Sequence, residues 1–212
     1  MLNLESVISF LLVSTLLAVT PGPSNAFLLA QTMSKGKAAG KYAAAGFALG
    51  GLAHTLLAVL GLSALLKASP TAYQLVQYLG AGYLFFLGIQ TLNSAFKPDT
   101  SSSFNSPLDM PKNTHKNVMW QAMLTEVLNP KVALFFIAFI PQFVDLSLST
   151  SGTHQIIIFG LLYAILAYPI DLTYVHYGDK IAQHFKSHPS SQRWLDGLTG
   201  LIFVLLAINI LL

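Results

Sequence analysis

The chain has 212 residues, of which 54% are hydrophobic and only 9% charged, where a soluble domain carries roughly 25% charged residues. So few charges argue against a soluble enzyme, a nucleic-acid-binding protein and a disordered chain alike. The lack of cysteine excludes disulfide frameworks, cysteine-ligated zinc and thiol catalysis.

Long uncharged runs predict an all-α membrane protein, because one membrane-spanning helix needs roughly 20 mostly apolar residues. Six such segments lie near residues 6–33, 42–66, 72–96, 117–142, 155–178 and 195–212. None alternates as a membrane β-barrel strand does. The start, Met1-Leu2-Asn3-Leu4-Glu5, has no Lys or Arg before Lys35. The first segment therefore reads as a span and not as a cleaved signal peptide. Residues 97–116, with Ser101-Ser102-Ser103 and several prolines, read as a cytoplasmic connector. It divides a single transport domain into a first repeat over about 1–96 and a second over about 117–212.

Basic residues fall on alternate loops. Lys35, Lys37 and Lys41 follow the first segment, Lys97, Lys112 and Lys116 the third, and Lys180, Lys186 and Arg193 the fifth. Only Lys67 lies on the opposite side, and Lys131 falls inside a span. Positive residues mark the cytoplasmic face, so both termini are expected outside the inner (cytoplasmic) membrane. The formal net charge of +3 is then a topology signal, and no nucleic-acid partner is expected.

Two spans are interrupted near their middles. Thr20-Pro21-Gly22-Pro23 breaks the first and Asn129-Pro130 the fourth. Proline removes a backbone donor and clashes with the preceding turn, and in hydrocarbon the freed groups must be satisfied by protein, cavity water or ligand. The breaks occupy corresponding places in two halves of three spans each. An odd number of spans inverts the second half, and broken helices at matching positions of inverted halves point to a transporter binding site. Asn129 before Pro130 fits an N-cap with proline at the first helical position, and Pro23, followed by Ser24 and Asn25, fits a second start. Each half-helix would aim free N–H groups into the membrane middle, where they suit a carboxylate. The substrate-binding candidates are thus Thr20, Pro21, Gly22, Pro23, Ser24, Asn25, Asn129 and Pro130, with the neighbouring His54 and Lys131.

Polar residues gather at the same depth. His54 is central in the second segment, and Glu126 lies about 6–7 Å to the cytoplasmic side of the fourth segment's centre. Asp171 shares that depth on the fifth segment. Ionisable groups inside spans are costly and usually face an interior path or a partner. Lys131 opposes the dipole of the helix it begins and should seek a carboxylate from Glu126, Asp171 or a substrate. A structural ion pair joining the repeats is the alternative for Lys131, and a hydrogen bond between helices the alternative for His54. Glu126 and Asp171 are the proton-coupling candidates. The small-xxx-small pair Gly46 and Gly50, with Gly51, Gly61, Gly80, Gly82 and Gly88, fits close helix packing. Internal packing is the expected use, and a homodimer the other.

These motifs together resemble the LysE/RhtB family of amino-acid exporters. Thr20-Pro21-Gly22-Pro23 stands at that family's proline-glycine motif. Gly46 to Leu62 (GFALGGLAHTLLAVLGL) resembles its second helix, Leu79 to Leu92 its third, and Val127 to Val144 (VLNPKVALFFIAFIPQFV) its fourth. Asp171 holds the place of its fifth-span acid. The resemblance implies export of small amino acids or derivatives by proton antiport, without a cofactor. Two positions depart from the pattern: Glu126 replaces a common asparagine, and Gly51 an aspartate.

Other classes fit less well. A metal-cation exporter could use Glu126, Asp171 and His54 as ligands, but the fixed cation of Lys131 would repel a metal. An intramembrane enzyme would show a H-E-x-x-H pair or a G-x-S-x-G elbow, and the chain has neither. It has no P-loop either, so no ATPase is expected.

Overall fold

The computed structural model describes residues 3–20, 22–96, 115–148 and 150–211. Pro21 and residues 97–114, which make up most of the expected connector, lie outside the described residues. Among the described residues the regular structure is helical. Helix α1 is Leu4–Val19, α2 Pro23–Ala68, α3 Pro70–Phe96, α4 His115–Val127, α5 Pro130–Leu134, α6 Gly152–Ser187 and α7 Pro189–Leu211. A π-helical turn, Phe135–Phe139, and a 3₁₀ turn, Ile140–Phe143, continue α5.

Local chemistry sets the boundaries. Asn3 caps α1 by accepting from Glu5 N at 3.1 Å. Gly22 and Asn129 are N-caps with proline next in line, as their order in the sequence predicts. Inside α2, Gly36 has φ 83° and ψ 171°, a left-handed backbone that a side chain would strain. It separates the end of the first predicted segment from the start of the second.

Three stretches are long and apolar enough to cross a membrane: Pro23–Leu65, Thr71–Asn93 and Gly152–Ile181. Lys116–Val127 and Pro130–Phe143, bent by 51°, make a fourth if the pair is one span. The six expected spans are therefore not all separate long helices. The break at Thr20 leaves α1 with 16 residues, about 24 Å of helix against roughly 30 Å of hydrocarbon.

The exterior is apolar and the interior partly polar. On α2 alone, Leu56, Leu57 and Leu60 are 59%, 58% and 62% exposed, the kind of apolar surface that faces lipid or another protein. Glu126, Asp171, Asn25 and Thr199 are buried. Helix α2 packs on α4 and α6, and α3 on α7. Glycines make these approaches possible. A Cβ on Gly50 would stand 2.6 Å from Glu126 Cβ, and one on Gly88 2.8 Å from Gly200 O. Gly46 likewise meets Ala122 and Met119, so the Gly46–Gly50 pair is used within the protomer.

Two apolar clusters form the core. The first is aromatic: Phe10 lies 4.8 Å from Phe159 and 5.4 Å from Phe143, and Phe139 lies 4.6 Å from Phe143. The second joins Phe27, Phe47, Val118, Tyr174 and smaller residues. The candidate site lies between them.

Candidate functional site

The end of α1 presents carbonyls that helix hydrogen bonding cannot satisfy. In a continuous helix Leu17 O would accept from residue 21 and Val19 O from residue 23, but both of those are prolines. Lys131 Nζ donates to Leu17 O at 3.0 Å. Tyr174 Oη donates to Val19 O at 2.7 Å. Asn25 Nδ2 serves Ala18 O at 3.2 Å and Thr20 O at 3.4 Å, and Lys131 Nζ also reaches Thr20 O at 3.0 Å. Thr20 itself turns back, with Oγ1 donating to Leu16 O at 2.6 Å. Every carbonyl from Leu16 to Thr20 thus has a partner, supplied largely by distant side chains.

The second break follows the same logic. Pro130 cannot donate to Glu126 O. His54 Nε2 lies 3.1 Å from that oxygen, and Asn129 N also bonds it at 3.1 Å. Because a carbonyl only accepts, His54 carries its proton on Nε2. Its ring stacks on Phe136 with centroids 5.3 Å apart. Asn129 Oδ1 caps α5 by accepting from Lys131 N at 3.0 Å.

A short polar chain joins the two breaks. Asn129 Nδ2 donates to Ser24 Oγ at 2.8 Å, and Ser24 Oγ donates to a carboxylate oxygen of Glu126. The first turn of α2 and the last turn of α4 are thereby tied, although 102 residues separate Ser24 from Glu126.

Around this junction lies a cavity of about 30 Å³, room for about two waters. Its polar wall includes Thr20, Ser24, Asn25, Glu126, Lys131 and Asp171. Leu17, Phe47, Val132 and Ala167 give it an apolar side, and Tyr163 completes it. One cation and two acids therefore share a space enclosed by two broken helices and α6. The ammonium's charge interacts with Glu126 and with Asp196 of α7. From the turn after Asp196, Thr199 Oγ1 lies 3.1 Å from Thr20 Oγ1.

Most predicted residues come together here. Gly22 and Asn129 join the others in the cavity wall. Pro23 and Pro130 act through the backbone, as first residues of α2 and α5. Pro21 lies outside the described residues. His54 stands behind the wall, bonded to the Glu126 carbonyl, in the interhelical role. Lys131 has the expected Glu126 carboxylate near enough for the two charges to interact, and its hydrogen bonds go to the carbonyls at the end of α1. A helix C-terminus carries partial negative charge, which compensates the ammonium. Tyr163, Tyr174, Asp196 and Thr199 were not singled out from the sequence. The available signal was helical spacing, since Tyr163 precedes Asp171 by eight residues and Tyr174 follows it by three. Among the described residues no group of three or more His, Asp or Glu side chains is placed to hold a metal ion.

Residues 15–212 match the LysE type translocator family. An uncharacterized membrane protein of Pseudomonas aeruginosa is 34% identical over 87% of this chain and 84% of its own length. Another uncharacterized membrane protein, YrhP of Bacillus subtilis, is 28% identical over 95% of this chain and 96% of its own. The leucine efflux protein of an Enterobacter species is 28% identical over 89% of this chain and 86% of its own. No solved structure matches the chain. The chain belongs to the LysE type translocator family and is a membrane protein.

Proposed function

We propose that this translocator is a secondary-active exporter of small amino acids, driven by proton antiport across the inner membrane. In this reading α1 and the first stretch of α2 make one broken span, and α4, α5 and the turns after them make another. The spans then number six, in two inverted halves joined by the 97–116 connector, with both termini outside. The pairing of α3 with α7, and of α2 with both α4 and α6, supports two halves that exchange equivalent contacts.

The observation that carries the proposal is the composition of the cavity wall: Lys131, Glu126 and Asp171 beside the starts of two half-helices. A zwitterion needs one site for a carboxylate and one for an ammonium. Lys131 and the first N–H groups of α2, at Ser24 and Asn25, suit the carboxylate. Glu126 and Asp171 suit the ammonium and, when it leaves, a proton. The apolar side of the wall favours an aliphatic side chain, in keeping with the name of the leucine efflux relatives. A cavity of about 30 Å³ admits an amino acid only when the helices around it move apart, as alternating access requires. Antiport follows if the acids bind either a proton or the substrate ammonium, so that each ligand biases the access equilibrium differently.

The test is labelled leucine uptake into inside-out vesicles with and without an imposed pH gradient. Gradient-dependent uptake by the parent protein is expected, with loss of the gradient dependence in the Asp171→Asn/Glu126→Gln double variant. Driven uptake undiminished in that variant would remove both acids from the proton path.

A further inference from the structure

Tyr163 belongs to two parts of the molecule at once. Its ring is in the aromatic cluster, 5.0 Å from Phe135 and 5.3 Å from Phe136 at an interplanar angle of 85°. It also lines the cavity, with only 4% of its surface exposed. Positions 163, 167 and 171 of α6 all line the cavity, and their spacing of four puts them on one helical face. Tyr163 therefore stands two turns from Asp171 along the wall. Across from it, a Cβ on Gly51 would lie 3.8 Å from the ring edge, at ordinary van der Waals distance, so α2 passes beside the ring. Glu126 reaches the same cavity from α4. The phenol feels the charge of both carboxylates, and the carboxylates feel each other. The remaining ionisable groups nearby are Lys131 of α5, His54 of α2 behind Phe136, Tyr174 of α6 and, through Lys131, Asp196 of α7.

We propose that the Tyr163 hydroxyl relays the coupling proton between Glu126 and Asp171, a role that rests on the antiport reading above. A phenol donates one hydrogen bond and accepts others, and the cavity of about 30 Å³ that Tyr163 shares with both acids has room for water to bridge it to them. Through that water the protonated acid delivers a proton to the phenol oxygen while the phenol O–H proton passes toward the other carboxylate, each water taking up one proton as it gives up another. One O–H bond breaks and one forms at the phenol oxygen, and Tyr163 is neutral before and after. One proton has moved from α4 to α6, or the reverse, without entering bulk water. The same ring contacts Phe135 and Phe136, which makes it the link between proton position and the packing of the aromatic cluster.

The experiment uses the purified full chain in proteoliposomes with labelled leucine, comparing pH-gradient-driven accumulation with leucine counterflow. Tyr163→Phe keeps the ring and removes the relay. Driven accumulation should fall about 100-fold relative to counterflow, the low end of what a positioned proton-transfer group contributes. Tyr163→His, which can both donate and accept, should recover part of the driven flux. A structural role would give the opposite order, with Phe close to the parent and His impaired, and that order overturns the relay. If Tyr163→Phe does not insert, loss of driven flux with intact counterflow in Tyr163→His overturns it. Parent protein without leucine counterflow overturns the exporter reading and the relay with it. A parent that exchanges leucine beside a Tyr163→Phe variant driven equally well overturns the relay alone.

Discussion

Replacing Lys131 by alanine removes the donor that two carbonyls of α1 share. Leu17 O then loses the bond at 3.0 Å and has no backbone substitute, because residue 21 is proline. Thr20 O keeps Asn25 Nδ2 at 3.4 Å. One buried acceptor left bare, plus part of a second, costs about 2–4 kcal/mol. Removing a half-buried cation offsets some of this, since burying a charge carries a desolvation penalty of several kcal/mol. The carbonyl dipoles, Glu126 and Asp196 already compensate the ammonium, so the carbonyl loss wins, by about 2 kcal/mol net. In a chain of this length that lowers the melting temperature by about 4–8 °C, read by size-exclusion after heating in detergent. Leucine flux should be lost in vesicles that still contain the inserted protein. Pro21→Ala supplies the complementary case. It restores an N–H that can compete for Leu17 O and heal the break, so transport should fall while the melting temperature holds or rises. A Lys131→Ala protein that melts and transports as the parent does would refute the reasoning. So would matching losses of stability in both variants.

Three further outcomes test the same frame. His54→Ala should cost about 0.5–1.5 kcal/mol by removing one of the two donors to the Glu126 carbonyl, which keeps Asn129 N, without changing which amino acids compete for export; altered selectivity in competition assays would put His54 back in the site. Gly50→Ala should destabilise by about 1–3 kcal/mol through overpacking, because its Cβ would meet Glu126 Cβ at 2.6 Å; a melting temperature equal to the parent's would show that α2 and α4 do not approach this closely. Ser102→Cys should resist an impermeant thiol reagent in intact cells and react in inside-out vesicles, whereas labelling in intact cells would invert the proposed orientation.

The membrane class and the two helix breaks were legible in the sequence because both rest on short-range chemistry. Apolar runs declare a helix that avoids water, and proline's missing N–H breaks the ladder wherever it occurs. The helix starts at Pro23 and at Pro130, the latter capped by Asn129, were legible for the same reason. Sequence also assigned Glu126 and Asp171 to one depth, with Lys131 about one turn away, since helical rise converts residue number into distance. Depth does not determine direction around a helix, nor which neighbour a side chain meets. Only tertiary packing decided that Lys131 bonds the α1 carbonyls, 114 residues away from Leu17. It likewise decided that Tyr174 serves Val19 across 155 residues, and that His54 serves the carbonyl of Glu126 and not the cavity. The prolines specify which carbonyls lose their i+4 helical donor: Leu17, Val19 and Glu126. The donors that cover them come from helices whose approach depends on glycines such as Gly46 and Gly50, and no local pattern names a partner across such a contact.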